Sequence, residues 1–196
     1  DFNFKRLLEN EGDFLIYGHD KSGKTSIIKF IQIDHLKNYS KTGIIPFYID
    51  FKDFISTGKS LDISEEIRRY YGFSKATTQK IIESNNFRLL IDNFEANHEN
   101  SDILINFVEK YHNINIVVSC DYLTSKIFGE VKIDHRDLTK LYIHDISRKD
   151  LRDYIEKSNL VVKENSDKLI EKIIQFCKQI ELPLNYWTIS LVLLVP

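Results

Sequence analysis

The sequence predicts an α/β protein: a five-stranded parallel sheet with helices on both faces, followed by a small helical lid. Three observations predict it. Short, almost wholly apolar runs alternate with stretches of helical periodicity, as expected of strands covered on both faces. Residues 18–25 read Gly-His-Asp-Lys-Ser-Gly-Lys-Thr and fit G-x-x-x-x-G-K-[ST] at every fixed position. From about Ser147 onward the periodicity is helical only.

Phe14-Leu15-Ile16-Tyr17 is the first predicted strand. After the glycine loop, Ile27, Ile28, Phe30, Ile31 and Leu36 are the expected inner stripe of a helix, with Lys29 and Lys37 outside it. Residues 44–51 form the second strand, entered through a turn at Thr42-Gly43. Two helices follow, Leu61–Tyr71 and Lys75–Ser84, separated by Gly72. The first is capped by Asp62 or Ser64, with Glu65 and Glu66 in its first turn. Phe87–Asp92 is the third strand, apolar apart from Arg88 and its terminal aspartate. A helix over Asp102–Tyr111 turns Ile103, Leu104, Phe107 and Val108 inward, and Asn115–Ser119 and Lys140–His144 are the last two strands. Helices over Arg148–Ser158, Ser166–Gln179 and Asn185–Leu194 complete the chain. The predicted division is therefore an α/β domain over 1–146 and a helical lid over 147–196. The chain opens on Asp1 and closes in apolar sequence, so it is expected to belong to a larger polypeptide.

Composition narrows the function classes. The chain has 196 residues and a net charge of −2, which argues against broad attraction to nucleic acid. Cys120 and Cys177 lack CxxC or Cys/His spacing, so neither a disulfide framework nor a zinc site is expected, and a reducing cytoplasm suits them. No secretion signal is seen, and no apolar run is long enough to span a membrane. A serine hydrolase has no G-x-S-x-G elbow to support it.

The glycine loop carries the chemistry. Its glycines let successive amide N–H groups converge on phosphate oxygens, and the following helix points its positive end at the same place. The expected cradle is Gly18, His19, Asp20, Lys21, Ser22, Gly23, Lys24, Thr25 and Ser26. Lys24 is placed at the β- and γ-phosphates, and the Thr25 hydroxyl on Mg²⁺. His19 occupies a variable position of the loop. Leu89-Leu90-Ile91-Asp92 has the Walker B form, apolar residues and then a carboxylate, so Asp92 is the second expected Mg²⁺ anchor. Asn93 follows it and cannot act as a base. Glu95, three positions beyond Asp92, is the carboxylate available to activate water. Ser119 ends the fourth strand, where a polar group can sense the γ-phosphate. The guanine pattern N-K-x-D is absent, which favours ATP and ADP over guanine nucleotides.

A whole strand lies in sequence between the loop strand and the Asp92 strand. That spacing resembles the ASCE division of P-loop NTPases, whose sheet order is 5-1-4-3-2. Within it the chain resembles the STAND-class ATPases, the NACHT-like and antiviral regulatory ATPases of multidomain proteins. The resemblance is carried by the loop, by Asp92-Asn93-Phe94-Glu95, by residues 141–151, and by Glu181-Leu182-Pro183-Leu184 before the last helix. It implies that Pro183 lies near the adenine base. It further implies a Mg-ATP switch with slow or partner-dependent hydrolysis, acting through self-association or attached effector domains. Two departures are visible: Cys120-Asp121 stand where NACHT-like proteins often carry arginine, and Leu182 replaces the usual glycine before Pro183. Two other readings stay open: an AAA+ ATPase acting on DNA, and a module that holds nucleotide without turnover.

Overall fold

In the computed structural model, which describes residues 5–9, 12–53, 62–95, 99–122, 136–157 and 166–194, the five apolar runs make one parallel sheet. Its strands are β1 (Asp13–Gly18), β2 (Ile45–Asp50), β3 (Phe87–Phe94), β4 (Asn115–Asp121) and β5 (Leu138–Tyr142). They lie in the order β2-β3-β4-β1-β5, the predicted 5-1-4-3-2 read from the other edge. The helices are α1 (Lys5–Leu8), α2 (Lys24–Lys37), α3 (Tyr39–Thr42), α4 (Ile63–Tyr71), α5 (Lys75–Ile82), α6 (Glu99–Lys110), α7 (Arg148–Lys157), α8 (Ser166–Gln179) and α9 (Tyr186–Leu194). Contacts divide the chain into two compact units, residues 1–19 with 24–142, and residues 20–23 with 143–196.

In the sheet unit, β1, β3 and β4 are buried on both faces, which is why they read as unbroken apolar runs. Asp62 caps α4, accepting the Glu65 amide at 3.0 Å, and Gly72 closes that helix at φ +69°. β5 begins two residues earlier than its apolar pattern suggests. Arg136 holds it there: Nη1 donates to Asp13 Oδ2 at 2.8 Å and to the Ile114 carbonyl at 2.7 Å, while Asp13 Oδ1 accepts the Ile116 amide at 2.8 Å. One ion pair thus gathers the starts of β1, β4 and β5.

The inner stripe of α2 differs from the sequence pattern. Lys24, Ile28, Ile31 and His35 are the buried positions, whereas Phe30 and Leu36 are about half exposed. This helix has apolar residues on most of its circumference, so periodicity leaves its rotation open. Lys24 must turn back to the glycine loop, and that sets the phase of every residue after it.

His35 meets Arg88 at the start of β3. Both are fully buried, and Arg88 Nη1 donates to His35 Nε2 at 2.9 Å and to the Leu7 carbonyl. Arginine only donates, so Nε2 accepts and the ring proton sits on Nδ1. Burial first, then the Arg88 charge, push the His35 pKa from 6.5 down to about 4, and burial lowers Arg88 to about 10.

In the second unit, Leu151, Ile155, Ile170, Ile173, Cys177 and Ile189 make a separate apolar core among α7, α8 and α9. Ser147 caps α7 by accepting the Asp150 amide at 3.2 Å, and Asn185 caps α9 by accepting that of Thr188 at 2.9 Å. Arg148 and Arg152 on α7 pair with Glu171 and Asp167 of α8.

Because His35 is held neutral when folded and gains a proton below pH 6.5 when unfolded, its contribution is complete above pH 6.5 and is lost as pH falls toward 4. We expect this residue to remove about 2–3 kcal/mol of stability between pH 7 and pH 4.5. His35→Gln, which can still accept from Arg88, should lose that much less over the same interval. Urea unfolding of both proteins at the two pH values measures the difference, and equal slopes would contradict the assignment.

Candidate functional site

The sheet order brings the C-terminal tips of β1, β4 and β3 side by side, with β2 beyond β3. The glycine loop leaves the tip of β1 and ends at the first residue of α2. Lys21 and Gly23 adopt left-handed backbone at φ +58° and +102°. Gly23 is needed for that conformation rather than for space, since a Cβ there would meet nothing within 4 Å.

Lys24 is buried at the root of the loop. Its Nζ donates to the carbonyls of Gly18 and His19, both at 2.7 Å, and lies 4.0 Å from Asp121 Oδ2. Asp121 is the register partner of Gly18 across β1 and β4. Thr25 follows on the first turn of α2, half-buried, and Ser26 is exposed. His19 is exposed and stands edge-on to Tyr122. Asp20 accepts the Lys21 amide at 3.0 Å, and the Lys21 ammonium lies 3.7 Å from the centre of the Trp187 ring. Ser22 Oγ is buried with no hydrogen-bond partner among the described residues.

Around Asp92 the geometry is closer. The carboxylate has no exposure, and every hydrogen bond it makes among the described residues comes from a neutral donor. Ser119 Oγ donates to Oδ1, the Asn93 amide donates to Oδ1 at 3.1 Å, and Tyr48 Oη donates to Oδ2 at 3.2 Å. A β-bulge produces this arrangement. Ile91 pairs with Val118 and Phe94 with Cys120, so Asp92 and Asn93 together face the single residue Ser119. Asn93 takes the left-handed conformation, φ +55°, which asparagine tolerates better than most residues. Its amide also donates to Ser119 Oγ at 3.0 Å, and its side-chain amide to Asp50 Oδ1 at 3.0 Å. One hydroxyl therefore serves the carboxylate and the amide that the bulge leaves out of the ladder. Burial and the Asp92 charge raise the Tyr48 hydroxyl well above the ordinary tyrosine range, so it stays a donor at neutral pH.

Thus Gly18, His19 and Lys24 meet at one strand tip and Asp92 and Ser119 at the next two. Glu95 follows β3 directly and is half-buried; Pro183 lies in the second unit, in the segment before α9. Neither Thr25 nor Glu95 makes a side-chain hydrogen bond to another described residue. Tyr48, Asp50 and Asp121 are additions that sequence reasoning missed. A signal for the first two existed: Tyr48 and Asp50 sit two apart on β2, and Asp50 is the register partner of Asp92. Cys120, where an arginine is common in the resembled family, is buried and its thiol is pushed up to about 12, so it is no nucleophile.

No protein-family model matches the chain, and no curated protein sequence matches it either. Solved structures do. Domain III of the replication initiation protein DnaA from Thermotoga maritima aligns with a TM-score of 0.54 at 14% identity, over 97% of this chain and 89% of that one. The fold is that of the AAA+ and related P-loop ATPases. AMPPCP-bound DnaA from Aquifex aeolicus gives 0.50 at 17% identity over 89% of this chain, which spans only 59% of the DnaA chain. A chain of the E. coli MS115-1 HORMA:CdnC:Trip13 complex gives 0.52 at 11% identity, over 83% of this chain and 59% of that one. At these identities the likeness is one of fold. Among the described residues, no helix is long and apolar enough to cross a membrane.

The bulge makes Ser119 structurally necessary. Ser119→Ala should cost about 1–3 kcal/mol, because the buried Asp92 loses a donor and the Asn93 amide an acceptor. Chemical denaturation measures it, and a loss under about 0.5 kcal/mol would show that the hydroxyl is dispensable.

Proposed function

We propose that the chain is a Mg-ATP-binding switch domain with slow or partner-dependent hydrolysis, of the STAND type that its sequence resembles. The observation that carries this is Lys24, buried and folded onto the Gly18 and His19 carbonyls, with a single strand, β4, between its loop's strand and that of the buried carboxylate of Asp92. The residues present suit a nucleotide phosphate and a divalent cation. Among the described residues, Ser22 offers a buried hydroxyl without a partner and only neutral groups hydrogen-bond Asp92, and Gly23 leaves open space above the loop.

In this reading the loop amides and Lys24 hold the β- and γ-phosphates, the ammonium exchanging its carbonyl partners for phosphate oxygens. Thr25 and Asp92 hold Mg²⁺, which when bound neutralises phosphate charge. Ser119 keeps Asp92 oriented, and Glu95 accepts the proton of the attacking water. The Asn93 turn directs the chain toward Glu95 after β3. Difference in affinity between nucleotide states biases a conformational equilibrium of the larger protein, and ATP or ADP is the ligand that sets it. Pro183 contributes to the base site.

A second reading, an ATPase acting on DNA, is favoured by the alignment of 97% of the chain with a domain of a replication initiation protein. Against it stand the net charge of −2 and the engagement of Arg148 and Arg152 with acids of α8.

Calorimetry with ATP and Mg²⁺ tests the central assignment: Lys24→Ala should weaken binding at least tenfold, and an unchanged affinity refutes it. Glu95→Gln should abolish phosphate release while leaving ATP affinity within about twofold, since it removes the base without touching the phosphate cradle. Duplex DNA should leave turnover unchanged; strong stimulation would move the assignment to the second reading.

A further inference from the structure

We infer that Tyr48 is a displaceable competitor for the metal-binding oxygen of Asp92, so that Mg²⁺ engages the site only by exchanging with its hydroxyl. The inference rests on the reading of the site as one for a Mg-nucleotide. A carboxylate offers about four lone-pair positions on its oxygens. Among the described residues, Oδ1 is occupied by Ser119 and the Asn93 amide, whereas Oδ2 is held by Tyr48 alone. Asp92 has no exposure, so neither a metal ion nor a metal-bound water reaches Oδ2 while this arrangement holds. One donor has to leave.

The donors differ in how easily they leave. Ser119 is fully buried on a central strand and is tied to two groups at once. The Asn93 donor is backbone, fixed by the bulge. Tyr48 is half-buried on the edge strand β2, and its bond is the longest of the three. Beside it, lined by Tyr48, Asp50, Asp53, Glu66 and Tyr70, is a cleft of about 290 Å³ that can accept the moving ring. Lys29 of α2 lies 5.5 Å from the ring centre, an attraction to the ring face that does not fix the hydroxyl. Breaking the Tyr48–Asp92 bond is therefore part of the cost of taking up the cation.

The direction of the effect distinguishes this from a supporting role. A hydroxyl that merely orients Asp92 should, when removed, weaken the metal. A competing hydroxyl should, when removed, strengthen it. Tyr48→Phe, which keeps the ring, is tested by titrating Mn²⁺ or Mg²⁺ into the full chain saturated with ADP. We expect metal affinity to rise about tenfold, the equivalent of one charge-assisted hydrogen bond, while metal-free ADP affinity stays unchanged. Unchanged or weaker metal affinity overturns the inference. If the wild-type protein binds ADP with no effect of metal, the assignment of Asp92 fails instead. Should the variant unfold, the tyrosine ultraviolet difference spectrum of the wild type on adding metal to its ADP complex gives the answer. A change as a phenol leaves a carboxylate supports the exchange, and a flat spectrum refutes it.

Discussion

A carboxylate closed off from water at the end of an apolar strand has to find its hydrogen bonds inside the protein. Asp92 is in that position, and the tips of three strands are shaped by it. β4 supplies Ser119, β2 supplies Tyr48, and β3 itself bulges so that the Asn93 amide turns back. The donors are neutral, so they stabilise the ionised form without cancelling its charge. That distinction matters for the metal site proposed here, where a nearby lysine or arginine would satisfy the carboxylate and also disable it. The cation of this site, Lys24, is spent on backbone carbonyls of its own loop, with Asp121 beyond hydrogen-bond reach at 4.0 Å.

The opposite ends of the same strands are also polar and buried, but they are organised differently. There Arg136 with Asp13 ties β1, β4 and β5 together through carbonyls and amides. Arg88 reaches the Leu7 carbonyl and the imidazole of His35. These groups bond to one another and to backbone within the protein, which makes them staples of the sheet, although Arg88 Nε and Nη2 and His35 Nδ1 stay buried without a partner among the described residues. The groups at the C-terminal tips hold donors and acceptors that a ligand can exchange with. A parallel sheet makes this asymmetry available, because all its strands present the same end to one edge.

Much of this was legible in the chain. Five strand-like runs, the glycine loop after the first of them and Asp92 at a strand end were enough to anticipate the parallel sheet, and the resemblance of their spacing to P-loop NTPases implied its order. Ser119 was singled out as a phosphate sensor; what the structure shows is its bonding to Asp92 and Asn93. Three features were beyond the pattern. The rotation of α2 depends on where Lys24 points, so the expected stripe placed Ile28 and Ile31 inward correctly but Phe30 and Leu36 wrongly. The bulge depends on one left-handed asparagine, a conformational choice that leaves no periodicity behind. Tyr48 and Asp50 acquire their meaning only when β2 is set in register against β3.

The strand order has a consequence for how such a chain comes into being. β4 lies between β1 and β3 in space yet follows both in sequence. When residues 1–94 have left the ribosome, β2 and β3 can pair, but β1 still lacks the neighbour that joins it to them. Two strongly apolar edges therefore wait for residues 115–121 to arrive, a non-local closure of the kind that slows folding and invites misassociation. The insertion of β4 is also the event that brings Ser119 to Asp92 and Asp121 to the Lys24 loop. Sheet completion and site completion are the same step, so a ligand held by this site has nothing fully formed to hold before the nascent domain closes.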